Sequence, residues 1–236
     1  MSTTRPLPPG TVEVWWCDLA SRPESDHAAW EGVTSPDERA RADRFAFAGD
    51  RWRFLSRRGL LRTLLAGYLG KSPESLRFAC DEKGKPRVPD GDVRFNLSRT
   101  GEGVLIGFTR GPDIGVDVER VKGGYMGEEI AGKFFAPSET AALTALPESS
   151  RSEAFFRVWT AKEAYLKARG DGLAYPLDAF AVTVDAGEPA RLRWHREESE
   201  ARRWWLLPLT PSAGFVATVA VEGGIPELAL REVAGS

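Results

Sequence analysis

Asp117 and Glu119 lie in the run Ile114-Gly115-Val116-Asp117-Val118-Glu119, and Glu163 and Lys167 lie in Trp159-Thr160-Ala161-Lys162-Glu163-Ala164-Tyr165-Leu166-Lys167. In the first run Ile114, Val116 and Val118 alternate with Gly115, Asp117 and Glu119, so a strand here puts both carboxylates on one face. Two such carboxylates stand ~7 Å apart, and they repel unless a cation or basic groups lie between them. In the second run Trp159, Glu163 and Lys167 recur at i, i+4 and i+8, so a helix carries all three on one face. Three carboxylates and an ammonium that converge suit a hard divalent cation on a diphosphate, because Mg²⁺ takes oxygen ligands and keeps waters. The chemistry indicated is transfer of the phosphoryl type. Taken singly, the acidic pair also fits a solvent-facing edge, and Glu163 with Lys167 fits an ordinary helical ion pair. Gly115 favours a site, since its missing side chain opens room for a ligand, as do the aromatic neighbours Phe155, Phe156 and Trp159.

Positioning these groups requires strands and helices in both halves of the chain. Val12, Val14 and Trp16 alternate, which predicts a strand over Thr11 to Leu19. Ser35-Pro36-Asp37-Glu38 reads as an N-cap followed by proline at the first helical position, with a helix to about Phe45. Asp50 is expected to cap a longer helix ending at Gly70, with Leu55, Leu61, Leu64, Leu65 and Tyr68 on its apolar stripe. Lys83-Gly84-Lys85-Pro86 reads as a turn. Strands are expected over Arg94 to Leu97 and Val104 to Phe108, bracketing a polar loop from Ser98 to Gly103. In that loop the backbone N–H groups, the Ser98 hydroxyl and the Arg99 guanidinium could bind a phosphate. The second half starts with the Ile114 to Glu119 strand. Helices follow near Glu128 to Lys133, Pro137 to Leu146 and Ser150 to Arg169, and then strands over 180–184, 191–194, 204–207, 215–221 and 228–233. Both halves read strand, helices, strands, which predicts two α+β subdomains meeting near Gly111-Pro112.

The bulk properties narrow the partners. The chain has 236 residues, 42% hydrophobic and 28% charged, an ordinary globular balance. No run is long and apolar enough for a membrane span, and the proline-bearing segment 1–10 lacks the apolar core of a signal peptide, so a cytoplasmic protein is expected. A net charge of −2 argues against a general nucleic-acid binder. Between Arg39 and Arg62, however, eight arginines face only Asp43 and Asp50, a local excess that could hold phosphates or simply form a solvated helix face. Cys17 and Cys80 sit in apolar stretches and are expected to be buried free thiols. His27 and His195 give little support for catalytic or zinc-binding histidine. GxGxxG and GxxxxGK[ST] are both absent, so the usual dinucleotide and P-loop readings lack support.

Together these runs resemble the Sfp-type 4′-phosphopantetheinyl transferases. The resemblance is carried, in order, by Phe95-Asn96-Leu97-Ser98, by Ile114 to Glu119, by Lys133-Phe134-Phe135-Ala136-Pro137-Ser138-Glu139, and by Trp159 to Ala164 with Lys167. It implies an α+β fold in which two similar subdomains of one chain form a pseudo-dimer with the active site between them. A tail over 1–10 would precede an N-terminal subdomain, 11–111, on the adenine and 3′-phosphate side of coenzyme A. A C-terminal subdomain, 112–236, would carry the metal and catalytic residues. Coenzyme A is the implied co-substrate and Mg²⁺ the implied cofactor, with Mn²⁺ as a substitute. Asp117, Glu119 and Glu163 would hold the metal, with Asp117 also near the diphosphate and Lys167 contacting it. Lys83, Gly84, Lys85 and Pro86 would line the adenine and 3′-phosphate end. Ser98 and Arg99 would contact the 3′-phosphate, joined by Arg53, with Arg41 and Arg44 as further candidates. Where this chain has Arg99 the family often has histidine, which makes phosphate binding here less sensitive to pH.

The implied reaction is attack by a serine hydroxyl of an apo acyl or peptidyl carrier protein on the β-phosphate of coenzyme A. It gives holo-carrier and adenosine 3′,5′-bisphosphate. Glu163 is the expected base, directly or through a water, and Lys167 stabilises or protonates the leaving group. Carriers of polyketide or nonribosomal-peptide synthases in secondary-metabolite biosynthesis, or of a fatty-acid synthase, are the implied partners. Recognition would use residues 121–135, with Lys122, Tyr125, Met126 and Lys133. One chain completes the site, so a monomer is expected, with no nucleic acid or membrane partner. Two alternatives use the same residues: a metal-dependent hydrolase of the coenzyme A diphosphate, and a non-catalytic coenzyme A-binding protein.

Overall fold

The computed structural model describes residues 5–89, 91–121, 127–172, 175–224 and 226–233. The first strand, β1 (Thr11–Asp18), leads into α1 (Glu24–Gly32), α2 (Pro36–Ala42) and α3 (Ala48–Leu69). A short hairpin of β2 (Ala79–Cys80) and β3 (Pro86–Arg87) precedes β4 (Val93–Thr100) and β5 (Gly103–Arg110). The second half runs β6 (Ile114–Arg120), α4 (Gly127–Phe134), α5 (Pro137–Ala145), α6 (Glu148–Arg169), β7 (Phe180–Val182), β8 (Leu192–His195), β9 (Trp204–Leu209), β10 (Phe215–Glu222) and β11 (Glu227–Glu232). The expected α+β class holds.

Four layers organise these elements. One sheet has the order β11-β1-β5-β4 and another β6-β10-β9. Period-2 alternation gives each sheet two apolar faces. Val12, Val14, Trp16 and Leu105 of the first sheet meet Ile114, Val116, Val118, Val219 and Val221 of the second in one core. On the outer face of the first sheet, Trp15, Val104, Ile106 and Phe108 pack against Leu61, Leu64, Leu65 and Tyr68 of α3. On the outer face of the second, Trp204, Leu206 and Ala220 pack against Phe155, Val158 and Tyr165 of α6. The two long helices thus flank a pair of facing sheets.

Local chemistry explains the boundaries. Ser35 caps α2 with a full capping box: its hydroxyl accepts from the Glu38 N–H and the Glu38 carboxylate accepts from the Ser35 N–H. α3 and α6 both end at a left-handed glycine, Gly70 at φ 62 and Gly170 at φ 79.

Several expectations need correction. Asp50 does not cap α3; the helix starts two residues earlier at Ala48, and Asp50 lies in its first turn. α1 was not expected, because its buried positions Asp26, His27 and Trp30 do not read as an apolar stripe. The polar loop 98–103 shrinks to a turn: Ser98 and Arg99 are ladder residues of β4, paired with Leu105 and Val104. The last strand does not stay with the second half, since β11 pairs in parallel with β1, Thr11 opposite Glu227 and Trp16 opposite Glu232. Cys17 is buried as expected and Cys80 is exposed, because β2 is two residues on a hairpin rim.

Candidate active site

β4 and β6 are edge strands of different sheets, and polar side chains of β4 join them. Asn96, Ser98 and Thr100 recur at period 2. Asn96 Oδ1 accepts from the Val116 N–H at 2.9 Å, and Ser98 Oγ accepts from the Val118 N–H at 3.4 Å. Thr100 Oγ1 donates to Glu119 Oε2 at 2.8 Å. Two side chains therefore satisfy backbone donors that a continuous ladder would have paired. The alternation was visible in the sequence; that its target was a second strand was not.

α6 lies across the face of β6 that carries Gly115, Asp117 and Glu119. A Cβ on Gly115 would stand 2.1 Å from Ala164 O and 2.4 Å from Ala168 N. The room that Gly115 provides is therefore filled by the helix backbone, not by a ligand. This close approach brings the i, i+4 pair Glu163 and Lys167 over Asp117. Lys167 Nζ donates to Asp117 Oδ1 at 2.6 Å and to Ser98 Oγ at 3.0 Å, and Ser98 Oγ donates to Asp117 Oδ1 at 2.7 Å.

The pairing is incomplete. Asp117 Oδ2 and Glu163 Oε1 are buried and make no hydrogen bond. Burial raises the proton affinity of Glu163, and the carboxylates of Asp117 and Glu119 raise it further while Lys167 opposes them. Asp117 is also raised, by burial, against the pull of Lys167 and Ser98. Among the described residues no three acidic, histidine or cysteine side chains close into a ready-made metal-ligand group. The donor set nevertheless fits a hard cation: oxygen ligands only, two of them buried and unpartnered.

Beside this centre runs a cleft of about 660 Å³ lined by Arg41, Arg57, Arg58 and Arg99, with Phe45, Phe54, Pro86, Asn96 and Leu97. Arg57 and Arg58 come from the face of α3 that also presents Asp50, Phe54 and Leu61. Arg57 Nε is buried without an acceptor, and burial with the neighbouring Arg99 pushes its pKa down to about 10. Its Nη2 donates to Gly101 O at 2.8 Å, which leaves the Nε–H of this guanidinium for an anion.

The expected phosphate groups divide. Arg41 and Arg99 line the cleft, and Arg44 is not among its lining residues. Arg53 stands outside it, with its guanidinium held by Asp50 at 2.7 Å and Glu102 at 2.9 Å. Arg57, which sequence reading passed over, takes the inward position; the i, i+4, i+7, i+11 stripe of residues 50, 54, 57 and 61 was the available signal. Of Lys83-Gly84-Lys85-Pro86, only Pro86 lines the cleft. Gly84 makes the turn at φ 83, and both lysines point to the end of α6. Ser98 is committed to Asp117, Lys167 and β6.

Two residues of the recognised runs prove architectural. Lys162 and Glu139 form a fully buried ion pair at 2.7 Å. Lys162 also donates to Leu177 O and Phe180 O, while Glu139 accepts from the N–H groups of Ala136 and Val182. Residues Lys122, Tyr125 and Met126, expected at the carrier surface, lie outside the described residues. On α4, Ile130 and Phe134 are exposed apolar residues, and Lys133 lies over the Phe134 ring.

Comparison with known proteins agrees with this assembly. Residues 113–220 match the model of the 4′-phosphopantetheinyl transferase superfamily, and residues 22–109 match that of the 4′-phosphopantetheinyl transferase N-terminal region. The chain is 39% identical to the 4′-phosphopantetheinyl transferase HetI of Nostoc sp., over 90% of this chain and 88% of that protein. It is 35% identical to the 4′-phosphopantetheinyl transferase Sfp of Bacillus subtilis, over 68% of this chain and 71% of that one. A crystal structure of holo-ACP-synthase from Plasmodium yoelii covers 47% of this chain and 92% of its own at 15% identity and a TM-score of 0.34, a likeness too loose to bear on the fold. The chain belongs to the Sfp-type 4′-phosphopantetheinyl transferases, enzymes that transfer phosphopantetheine to carrier proteins.

Proposed function

We propose that the chain moves 4′-phosphopantetheine from coenzyme A to a serine of an apo acyl or peptidyl carrier protein, with Mg²⁺ held by Asp117, Glu119 and Glu163. The observation that carries this reading is the pair of buried, unpartnered oxygens, Asp117 Oδ2 and Glu163 Oε1, beside Lys167 and the arginine cleft. The bound cation supplies neutralisation of diphosphate charge.

The chain's own residues do the rest. Arg41, Arg57 and Arg99 hold the nucleotide phosphates, Arg58 lines the cleft while paired with Glu38, and the rings of Phe45 and Phe54 offer an apolar wall to the base. Lys167 Nζ, fixed by Asp117 and Ser98, stabilises negative charge on the departing phosphate. Glu163, directly or through a water it orients, takes the serine proton. Serine oxygen bonds to the β-phosphorus, the bond to the bridging oxygen breaks, and adenosine 3′,5′-bisphosphate leaves. The arginine cleft is lined by the first half, and Asp117, Glu119, Glu163 and Lys167 come from the second, so a single chain is the working unit. The exposed Ile130 and Phe134 with Lys133 on α4 form the side that meets the carrier. No helix among the described residues is long and apolar enough to cross a membrane, and we place the reaction in the cytoplasm.

The test is intact-mass measurement of apo-carrier incubated with the protein, coenzyme A and Mg²⁺. A gain of one phosphopantetheine, lost with EDTA and in Asp117→Ala, is expected. Consumption of coenzyme A without carrier modification would transfer support to the diphosphate hydrolase.

A further inference from the structure

Lys83 and Lys85 sit on the turn between β2 and β3, in the first half of the molecule, yet both ammonium groups bind the C-terminal end of α6. Lys85 Nζ donates to Ala168 O at 2.9 Å, and Lys83 Nζ donates to Arg169 O at 3.0 Å. Asp113 lies 3.6 Å from Lys85, and Asp171 lies 2.7 Å from Lys83. The last carbonyls of a helix have no acceptor role within their own helix, and cations are favoured at that end. The Lys85 side chain is only 5% exposed, a costly place for an ammonium that does nothing.

The turn of α6 that is held here is the one that matters. On its other side Gly115 of β6 touches the backbone at Ala164 and Ala168 without slack. Lys167 lies in this turn, one peptide before the carbonyl that Lys85 grips, and Glu163 lies just before it. Pro86, the next residue after Lys85, lines the arginine cleft. One hairpin therefore touches the cleft with its proline and the catalytic helix with its lysines.

We propose that Lys85, assisted by Lys83, is a positioning residue: it sets the axial placement of α6, and through it of Lys167, and ties that placement to the cleft through Pro86. The proposal rests on the transferase reading. It gives the two lysines a role other than binding nucleotide phosphate.

Steady-state transfer kinetics of Lys85→Met, Lys167→Ala and the double variant test it, with coenzyme A affinity measured by calorimetry. Lys85→Met is expected to lower kcat by about tenfold or more, because a displacement of ~1 Å at a reacting group can cost ~100-fold. KM and Kd for coenzyme A should stay within about twofold. In the Lys167→Ala background the same substitution should change kcat by less than about twofold, since the group it positions is gone. Lys83→Ala, at a more exposed side chain, should show the same split at smaller size, and decides the matter if Lys85→Met does not fold. A rise in KM with kcat intact in either variant would show nucleotide binding and overturn the proposal. So would an undiminished Lys85→Met loss in the Lys167→Ala background, which a general loosening of the fold would give. Wild-type turnover separates the two levels: transfer by the wild type with these adverse profiles sinks only the positioning role, and its failure to modify any carrier sinks the transferase reading.

Discussion

Two lysine–carboxylate clusters lie five residues apart on α6, built from the same groups, and they differ in completeness. At Lys162 every polar atom has a partner: Glu139 and two carbonyls take the ammonium, and two N–H groups and Lys162 take the carboxylate. At Lys167 one carboxylate oxygen of Asp117 and one of Glu163 stay buried and unmatched. A satisfied buried pair fixes how α5, α6 and β7 meet. An unsatisfied one retains electrostatic free energy that only a ligand of the right charge can release. Residue type alone does not separate architecture from chemistry; the count of unmatched atoms does.

The largest effect should come from opening the closed cluster. Glu139→Ala leaves Lys162 buried and unpaired, and is expected to destabilise the fold by about 3–5 kcal/mol, read as a fall in denaturation midpoint. A Glu139→Leu, Lys162→Met double variant should recover most of that loss; if it does not, the cluster does more than pair charges. At the open cluster the ranking reverses. Glu163→Gln should cost about a hundredfold or more in transfer rate with no loss of denaturation midpoint, because it removes a repelled carboxylate. Near-normal turnover would take Glu163 out of the proton transfer.

Smaller effects probe how the open cluster is held. Gly115→Ala drives a methyl into the α6 backbone and should cost about 1–3 kcal/mol by overpacking, with transfer falling even where the variant remains folded. The last contrast concerns pH. Glu163 has its folded proton affinity raised above the ordinary 4.5. Its contribution to stability is therefore complete below that ordinary value and is lost as pH rises through the raised folded value. Mg²⁺ should accordingly raise Tm by a few degrees near neutral pH and by less near pH 5, and by nothing in Asp117→Asn. Equal shifts at both pH values would mean that the cation binds elsewhere.

Much of this was legible in the chain. The alternation over 114–119 and the i, i+4 spacing of Glu163 and Lys167 gave the elements and the face. What stayed hidden depends on partners distant in sequence. Ser98 and Arg99 look like a loop because the local string is polar, and only the pairing with β5 and the seam with β6 make them strand. Arg53 and Arg57 are equal in composition; Asp50 and Glu102 draw one of them aside. Lys83 and Lys85 read as phosphate ligands because nothing nearby in sequence shows that α6 ends against them. Gly115 was read as room for a ligand, and the occupant is a helix.

The return of β11 to pair beside β1 has a consequence for synthesis and for dissection of this enzyme. The first sheet cannot be completed until residues 227–232 exist, although its other three strands are made in the first 110 residues. A ribosome that stalls anywhere in the second half therefore releases a chain whose β1 edge is open and ready to pair with a stranger. Separate expression of 11–111 and 112–236 should fail for the same reason, whereas a first fragment co-expressed with the full remainder has its missing strand supplied in trans.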